Sequence, residues 1–289
     1  MKWRGRERST NIQDRRGATG RGGLSVGGAT GGLGIGGLVV LLIIGAVFGI
    51  NPLALLDGSM TTTTQAPSGG APLPQAGEDE QADFVAVVVR DTEELWSQIF
   101  EASGLDYVYP TVVLYTQMDQ SRCGLADARM GPFYCPADHS VYIDLSFYDE
   151  LRDQFGAPGD FAQAYVIAHE IGHHVQNLTG VLPEFNRARQ SMSTEEANAY
   201  SVRVELQADC YAGVWANYIG EANLLDNGDI AEAINAAEQI GDDAIITRSG
   251  GVPIPKTFTH GTSAQRQTWF SRGYQSGDPG DCDTFSGPI

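Results

Sequence analysis

The sequence predicts an α+β fold, a small sheet followed by a set of helices. Three observations carry that expectation. Two β-type runs, TVVLYT at 111–116 and HSVYIDLSF at 139–147, come first. Four segments with helix-start signals follow from position 160 onward. Residues 1–81 stand apart from both, being basic, then uncharged, then rich in Thr, Pro and Gly.

Residues 1–21 hold Lys2, Arg4, Arg6, Arg8, Arg15, Arg16 and Arg21 against Glu7 and Asp14, a net of +5. Against −18 for the whole chain, this leaves −23 on the remainder, a charge that repels phosphate backbones and argues against nucleic acid as a partner. No side chain from Gly22 to Leu56 is charged. Within that stretch, 33–50 is an apolar run of roughly 27 Å as a helix, about one hydrocarbon core. The basic flank precedes it, so the positive-inside rule puts the N-terminus in the cytoplasm and the C-terminal domain outside. A cleaved signal peptide is the competing reading, and either one exports the domain. The organisation expected is a basic, Gly-rich cytoplasmic segment at 1–32, a transmembrane helix at 33–56, a flexible linker at 57–81 and a folded domain at 82–289. Gly45 and Gly49 form a GxxxG pair in the apolar run, a route to a homodimer through the membrane helix that chance explains nearly as well.

Residues 57–81 lack large apolar side chains apart from Met60 and Leu73, and so cannot offset the entropy of ordering. Phe84, Val87, Val88, Leu95, Trp96, Ile99 and Phe100 recur at helical spacing, with Gly104 as a stop. The two strands then flank a Gly/Pro/Cys segment expected as a loop or an extra hairpin. Four cysteines in an exported domain suit disulfides, and four allow three pairings. Cys123 and Cys135 bracket Gly124, Gly131 and Pro132, which suits a bridge across a turn and leaves Cys210 with Cys282.

A first helix is expected from Asp160 as N-cap, with Gln163 as its capping-box partner, to Gly180. A second opens at Ser193 with Glu196 and runs to about Gly220. A third runs from Asp229, with Glu232, to near Gly241, and a last one follows Ser263.

The first helix contains HEIGH, with His169, Glu170, Ile171, Gly172 and His173. Residues four apart differ by about 40° around a helix, so both imidazoles leave one face and can bind one ion. Glu170 lies on the rim of that face, placed for proton transfer and not for ligation. Gly172 costs about 1 kcal/mol inside a helix, and close approach by another backbone is a common compensation. A catalytic zinc takes three protein ligands. The second helix offers VELQADC, where Glu205 and Asp209 share a face. Glu205 then completes the ligand set, and Asp209 fixes the tautomer of a ligand histidine.

With HEIGHH followed by ELQADC, a basic start and one apolar span, the chain resembles the bacterial membrane-anchored neutral zinc metallopeptidases, from NIQDRRG at 11–17 to FTHGTSAQR at 258–266. HExxH with a later ExxxD is the gluzincin pattern. The resemblance implies a zincin-like domain with Zn2+ on His169, His173 and Glu205, Glu170 as general base and Asp209 behind the ligands. It implies a zinc-dependent peptidase, for which the substrate expected is a peptide or unfolded protein. A membrane-anchored, zinc-stabilised scaffold without turnover is the alternative, and it has no use for an unligated base.

The oxyanion formed in such a reaction needs a donor. His260, in a polar stretch before the last helix, is the first candidate, with Tyr200 and Tyr211 as alternatives. His174 points about 100° from His173, toward a supporting or surface position. His139 is expected in an exposed turn, and Cys210 as packed or bridged. Asn177 starts a glycosylation sequon of a frequent kind.

Overall fold

A computed structural model describes residues 1–17, 75, 77 and 79–289. The expected transmembrane helix, most of the linker and the Gly45/Gly49 pair lie outside these residues. No helix among the described residues is long and apolar enough to cross a membrane.

In chain order, β1 (Ile12–Asp14) is followed by α1 (Glu80–Ala102), β2 (Thr111–Tyr115), β3 (Met118–Ser121), β4 (Gly124–Asp127), β5 (Phe133–Cys135) and β6 (Ser140–Asp144). Seven helices come next: α2 (Phe147–Asp153), α3 (Asp160–Leu178), α4 (Val181–Ala188), α5 (Thr194–Glu221), α6 (Asp229–Gln239), α7 (Asp242–Arg248) and α8 (Ser263–Ser276). The α+β expectation stands.

The main sheet has the order β1-β2-β6-β5, with β1, β2 and β6 parallel and β5 antiparallel on one edge. Its two faces follow the period of a strand. Val112, Leu114, Val141 and Ile143 enter the main core beneath the helices, whereas Val113, Tyr115 and Tyr142 face a second cluster with Ala126, Met130 and Phe133. The β3–β4 hairpin thus covers the outer face, and the Cys123–Cys135 bridge ties it to β5. Cys210 and Cys282 form the other bridge.

Residues 1–17 correct the expected domain boundary. They pack on the domain: Ile12 pairs with Val112 in the sheet, Arg6 makes a double ion pair with Asp91 at 2.8 and 2.6 Å, and Ser9 donates to Glu93 at 2.6 Å. The basic charge expected as a membrane flank therefore neutralises carboxylates of α1. A single membrane crossing between residues 17 and 79 would put β1 and β2 on opposite sides, so the sheet and the expected orientation exclude one another.

Helix starts differ in detail. Asp79 caps α1 by accepting from Ala82 N at 3.0 Å, and Ser193–Glu196 and Thr262–Gln265 are true capping boxes. The expected box at Asp160 is absent. Gly159 precedes α3, the Glu232 carboxylate accepts from Phe161 N at 3.1 Å, and the Asp160 carboxylate instead pairs with the Met1 amine at 2.9 Å. Between Gly180 and Ser193, where no element was expected, the chain forms α4, and α7 was not expected either.

Helices α5 and α8 cross in contact. A Cβ on Gly273 would lie 1.9 Å from the Cys210 carbonyl oxygen, so only glycine lets the backbones meet there.

Candidate metal centre

Gly172 fulfils its expectation. A Cβ there would lie 3.1 Å from the Ala208 carbonyl oxygen and 3.2 Å from its Cα, so α3 and α5 touch backbone to backbone. That approach brings Glu205 against the HEIGH face. His169 Nε2 is 3.3 Å from Glu205 Oε2, and His173 Nε2 is 3.6 Å from Glu205 Oε1. One ligand atom from each of the three residues lies within 4.8 Å of the others.

Three buried atoms here have no hydrogen-bond partner: His173 Nε2, Glu205 Oε1 and Glu170 Oε2. Such orphans cost on the order of 1–3 kcal/mol each, more for a charge. Two imidazoles and a carboxylate around one point are a donor set that suits zinc, and an ion would satisfy the two ligand orphans. The residues fit the metal.

Support behind the ligands is dense. Asp209 Oδ1 accepts from His169 Nδ1 at 2.8 Å and from Tyr165 Oη at 2.5 Å. Arg266, which the sequence did not single out, donates from Nε to Asp209 Oδ2 and from Nη2 to Asp209 Oδ1, both at 2.8 Å. Its guanidinium is buried, and together with the His169 proton it overcomes burial to hold the Asp209 carboxyl below its usual range. Burial opposes a charge on His169, but Asp209 and Glu205 raise its pKa to about 9. At His173 burial dominates and lowers the value to about 4.

Glu170 is buried, and burial with the nearby Glu205 carboxylate pushes its pKa up to about 7. The Tyr134 backbone on β5 opposes that rise.

His260 joins the same pocket. Its Nδ1 faces Asp242 Oδ1 at 3.1 Å, while Asp242 Oδ2 accepts from Thr259 N and His260 N, each at 2.8 Å, and from Gly261 N at 3.1 Å. Burial opposes the imidazolium, yet Asp242 and Glu205 raise its pKa. Asp242 opens α7, the helix that was not expected, and no spacing in the sequence ties it to His260. Away from the ligands the pocket wall is apolar, with Met130, Phe147, Val166 and Ile245.

The alternative donors are elsewhere. Tyr200 stacks on Phe185 with ring centroids 4.8 Å apart, and Tyr211 packs edge-on against Trp96 at 5.2 Å. His174 is fully buried: Tyr134 Oη meets its Nδ1 at 3.0 Å and its Nε2 donates to the Val108 carbonyl at 2.6 Å. His139 is half-buried against it instead of exposed. Asn177 donates its amide to Tyr134 Oη at 3.0 Å.

A family model described as "Putative neutral zinc metallopeptidase" matches residues 1–285. The chain is 46% identical over 294 residues to the uncharacterized protein YpfJ of Escherichia coli K12, covering 100% of both chains. It is 40% identical over 252 residues to the uncharacterized protein Rv2575 of Mycobacterium tuberculosis H37Rv, covering 83% of this chain and 84% of that one. No solved structure gives a significant match.

Proposed function

Because the chain belongs to the neutral zinc metallopeptidase family, we propose that it hydrolyses peptide bonds in peptides or unfolded proteins, using zinc held by His169, His173 and Glu205. The unpartnered His173 Nε2 and Glu205 Oε1 within the His169, His173 and Glu205 cluster, with the unpartnered Glu170 Oε2 on a residue that lines the same pocket, carry this reading.

Bound zinc supplies a Lewis acid that polarises the scissile carbonyl and lowers the pKa of water toward ~7. Glu170 takes the proton of the attacking water and hands it to the leaving amine, a role suited to a carboxylate that lines the pocket without being a ligand. His260, held through Nδ1 by Asp242, turns Nε2 to the pocket and donates to the carbonyl oxygen as it gains charge. Arg266 and Asp209 keep His169 oriented, and the apolar wall receives a substrate side chain.

Two disulfides support an exported, oxidising location for the folded body. Membrane attachment through 33–56 belongs to this reading, on the strength of its uncharged apolar run, only as an association that leaves residues 1–17 and the domain on one side. The orientation with 1–21 across the membrane from the domain does not, since it parts β1 from β2.

The test is the full chain loaded with zinc and given a mixed peptide library, beside Glu170→Gln. The variant should keep its zinc and its thermal stability while cleavage falls by about 10²–10⁴. A parent that binds zinc and cuts nothing would favour the scaffold alternative. Equal cleavage by parent and variant would remove Glu170 from the mechanism.

A further inference from the structure

Two buried amides lie behind the metal centre. Gln176 Oε1 is 2.8 Å from His173 Nδ1, and Gln176 Nε2 donates to the Val204 carbonyl at 2.7 Å and to Gln207 Oε1 at 3.0 Å. Gln207 Nε2 donates to the Cys282 carbonyl at 3.0 Å. Amide orientation is in general assigned from the network around it. Here two backbone carbonyls, which only accept, settle it.

The Cys282 carbonyl forces the Gln207 nitrogen toward itself and the Gln207 oxygen toward Gln176. The Val204 carbonyl likewise forces the Gln176 nitrogen inward and its oxygen toward His173. An oxygen at that place requires a proton on His173 Nδ1, leaving the Nε2 lone pair free on the side of Glu205. The tautomer needed for ligation is therefore set without any ion. His169 receives the same instruction from Asp209, but His173 receives it from a neutral chain that ends outside the helix pair.

That end is tethered. Cys282 is bridged to Cys210, the residue after Asp209 on α5, and beyond it Thr284 Oγ1 donates to the Arg203 carbonyl at 2.7 Å while Arg203 Nη1 donates to the Gly287 carbonyl at 2.9 Å. We propose that Gln176 and Gln207 are positioning residues that lock His173 in its metal-binding tautomer, and that the bridged C-terminal segment fixes the end of this relay, so that zinc retention depends on the Cys210–Cys282 bond. The inference rests on His173 being a zinc ligand, but the tautomer does not.

Two readouts on the full chain test it. The first is zinc affinity by chelator competition, with the difference in Tm between zinc-loaded and zinc-free protein. The second is the nitrogen NMR signature of the His173 ring in zinc-free protein. Gln176→Met should weaken zinc by about 10–100-fold, shrink the Tm difference and shift His173 away from the Nδ1–H form. Gln207→Met should do the same to a smaller extent, because the Val204 carbonyl still orients Gln176. Replacing both Cys210 and Cys282 by Ser, which leaves no stray thiol to bind metal, should also weaken zinc. A merely structural role would lower the Tm of loaded and free forms equally and leave affinity and tautomer unchanged, and that result overturns the relay. Parent-like zinc affinity in the double serine variant overturns the part assigned to the bridge. Should the parent take up no zinc, the metal reading fails, while the NMR signature still decides whether Gln176 sets the tautomer.

Discussion

Asp242 and His260 form a buried pair, Oδ1 to Nδ1 at 3.1 Å, in which the second carboxylate oxygen also holds three successive backbone N–H groups of the 259–261 turn. One side chain thus sets both the place of the imidazole and its charge. Asp242→Asn keeps the shape but removes the charge, so the His260 pKa should fall from its raised value. In the proposed reaction His260 donates while protonated, so activity lost on the alkaline side should be lost at lower pH in the variant. A pH–rate profile of both proteins checks the shift, and coincident alkaline limbs would remove His260 from the reaction.

The same pair makes a stability prediction whose sign follows from linkage. His260 has a raised folded pKa, so its contribution is complete below the unfolded value of about 6.5 and is lost as pH rises through the folded one. Asp242 has a lowered folded pKa, so its contribution is present above about 3.9 and is lost as pH falls. Asp242→Asn should therefore cost most between these limits and least at either extreme. Urea unfolding across the pH range measures this, and a cost independent of pH would refute the ionic account.

Gly172→Ala sets a gain against a loss. Alanine favours a helix interior by about 1 kcal/mol over glycine. The added Cβ presses on the Ala208 backbone at 3.1–3.2 Å, and overpacking of this kind costs about 1–3 kcal/mol. The neighbour that must yield carries Glu205 three residues earlier, so zinc affinity should fall more than stability does. Calorimetric zinc titration beside thermal unfolding gives both quantities. Parent-like affinity would show that the contact does not place Glu205.

The residues legible in the sequence are those whose partners lie at fixed offsets on one helix. His169 with His173, and Glu205 with Asp209, are each four apart, and the Gly172 contact was readable as a glycine with no local reason to exist. Arg266, Asp242 and Gln207 were not legible because each acts across elements, where spacing carries no geometry, and Gln176, although three residues after His173 on α3, takes its orientation from Val204 and Gln207 on α5. Strand β1 was hidden differently. It is three residues long, among arginines whose charge read as a membrane flank although it matches Asp83 and Asp91 on α1. Helix α7, at seven residues, is too short to show a period.

Arg266 donates two hydrogen bonds to Asp209 while both are buried, so removing Asp209 leaves the guanidinium without its carboxylate, and removing Arg266 leaves Asp209 with only His169 and Tyr165. Arg266→Met should cost about 3–5 kcal/mol in urea unfolding of zinc-free protein. Asp209→Leu with Arg266→Met should cost less than the sum of the single changes, because the double variant buries no charge at this place. Strict additivity in the cycle would mean that the pair contributes nothing as a pair.

Sidedness gives the last prediction, and it follows from the sheet. Ile12, Gln13 and Asp14 pair with Val112, Val113 and Leu114, and this pairing requires both strands in one compartment while the fold is intact. Arg4 is 71% exposed and Val252 80% exposed, so a cysteine at either place is open to reagent without disturbing the core. Arg4→Cys and Val252→Cys, each in the otherwise native full chain, should react alike with a membrane-impermeant thiol reagent in cells stripped of their outer barrier. If the exported reading holds, both react before lysis. If both react only after lysis, the body is internal, and the disulfides have been misjudged as a sign of export. Reaction at Val252→Cys with protection at Arg4→Cys would restore the single crossing, and β1 could not then be paired with β2 in the same molecule.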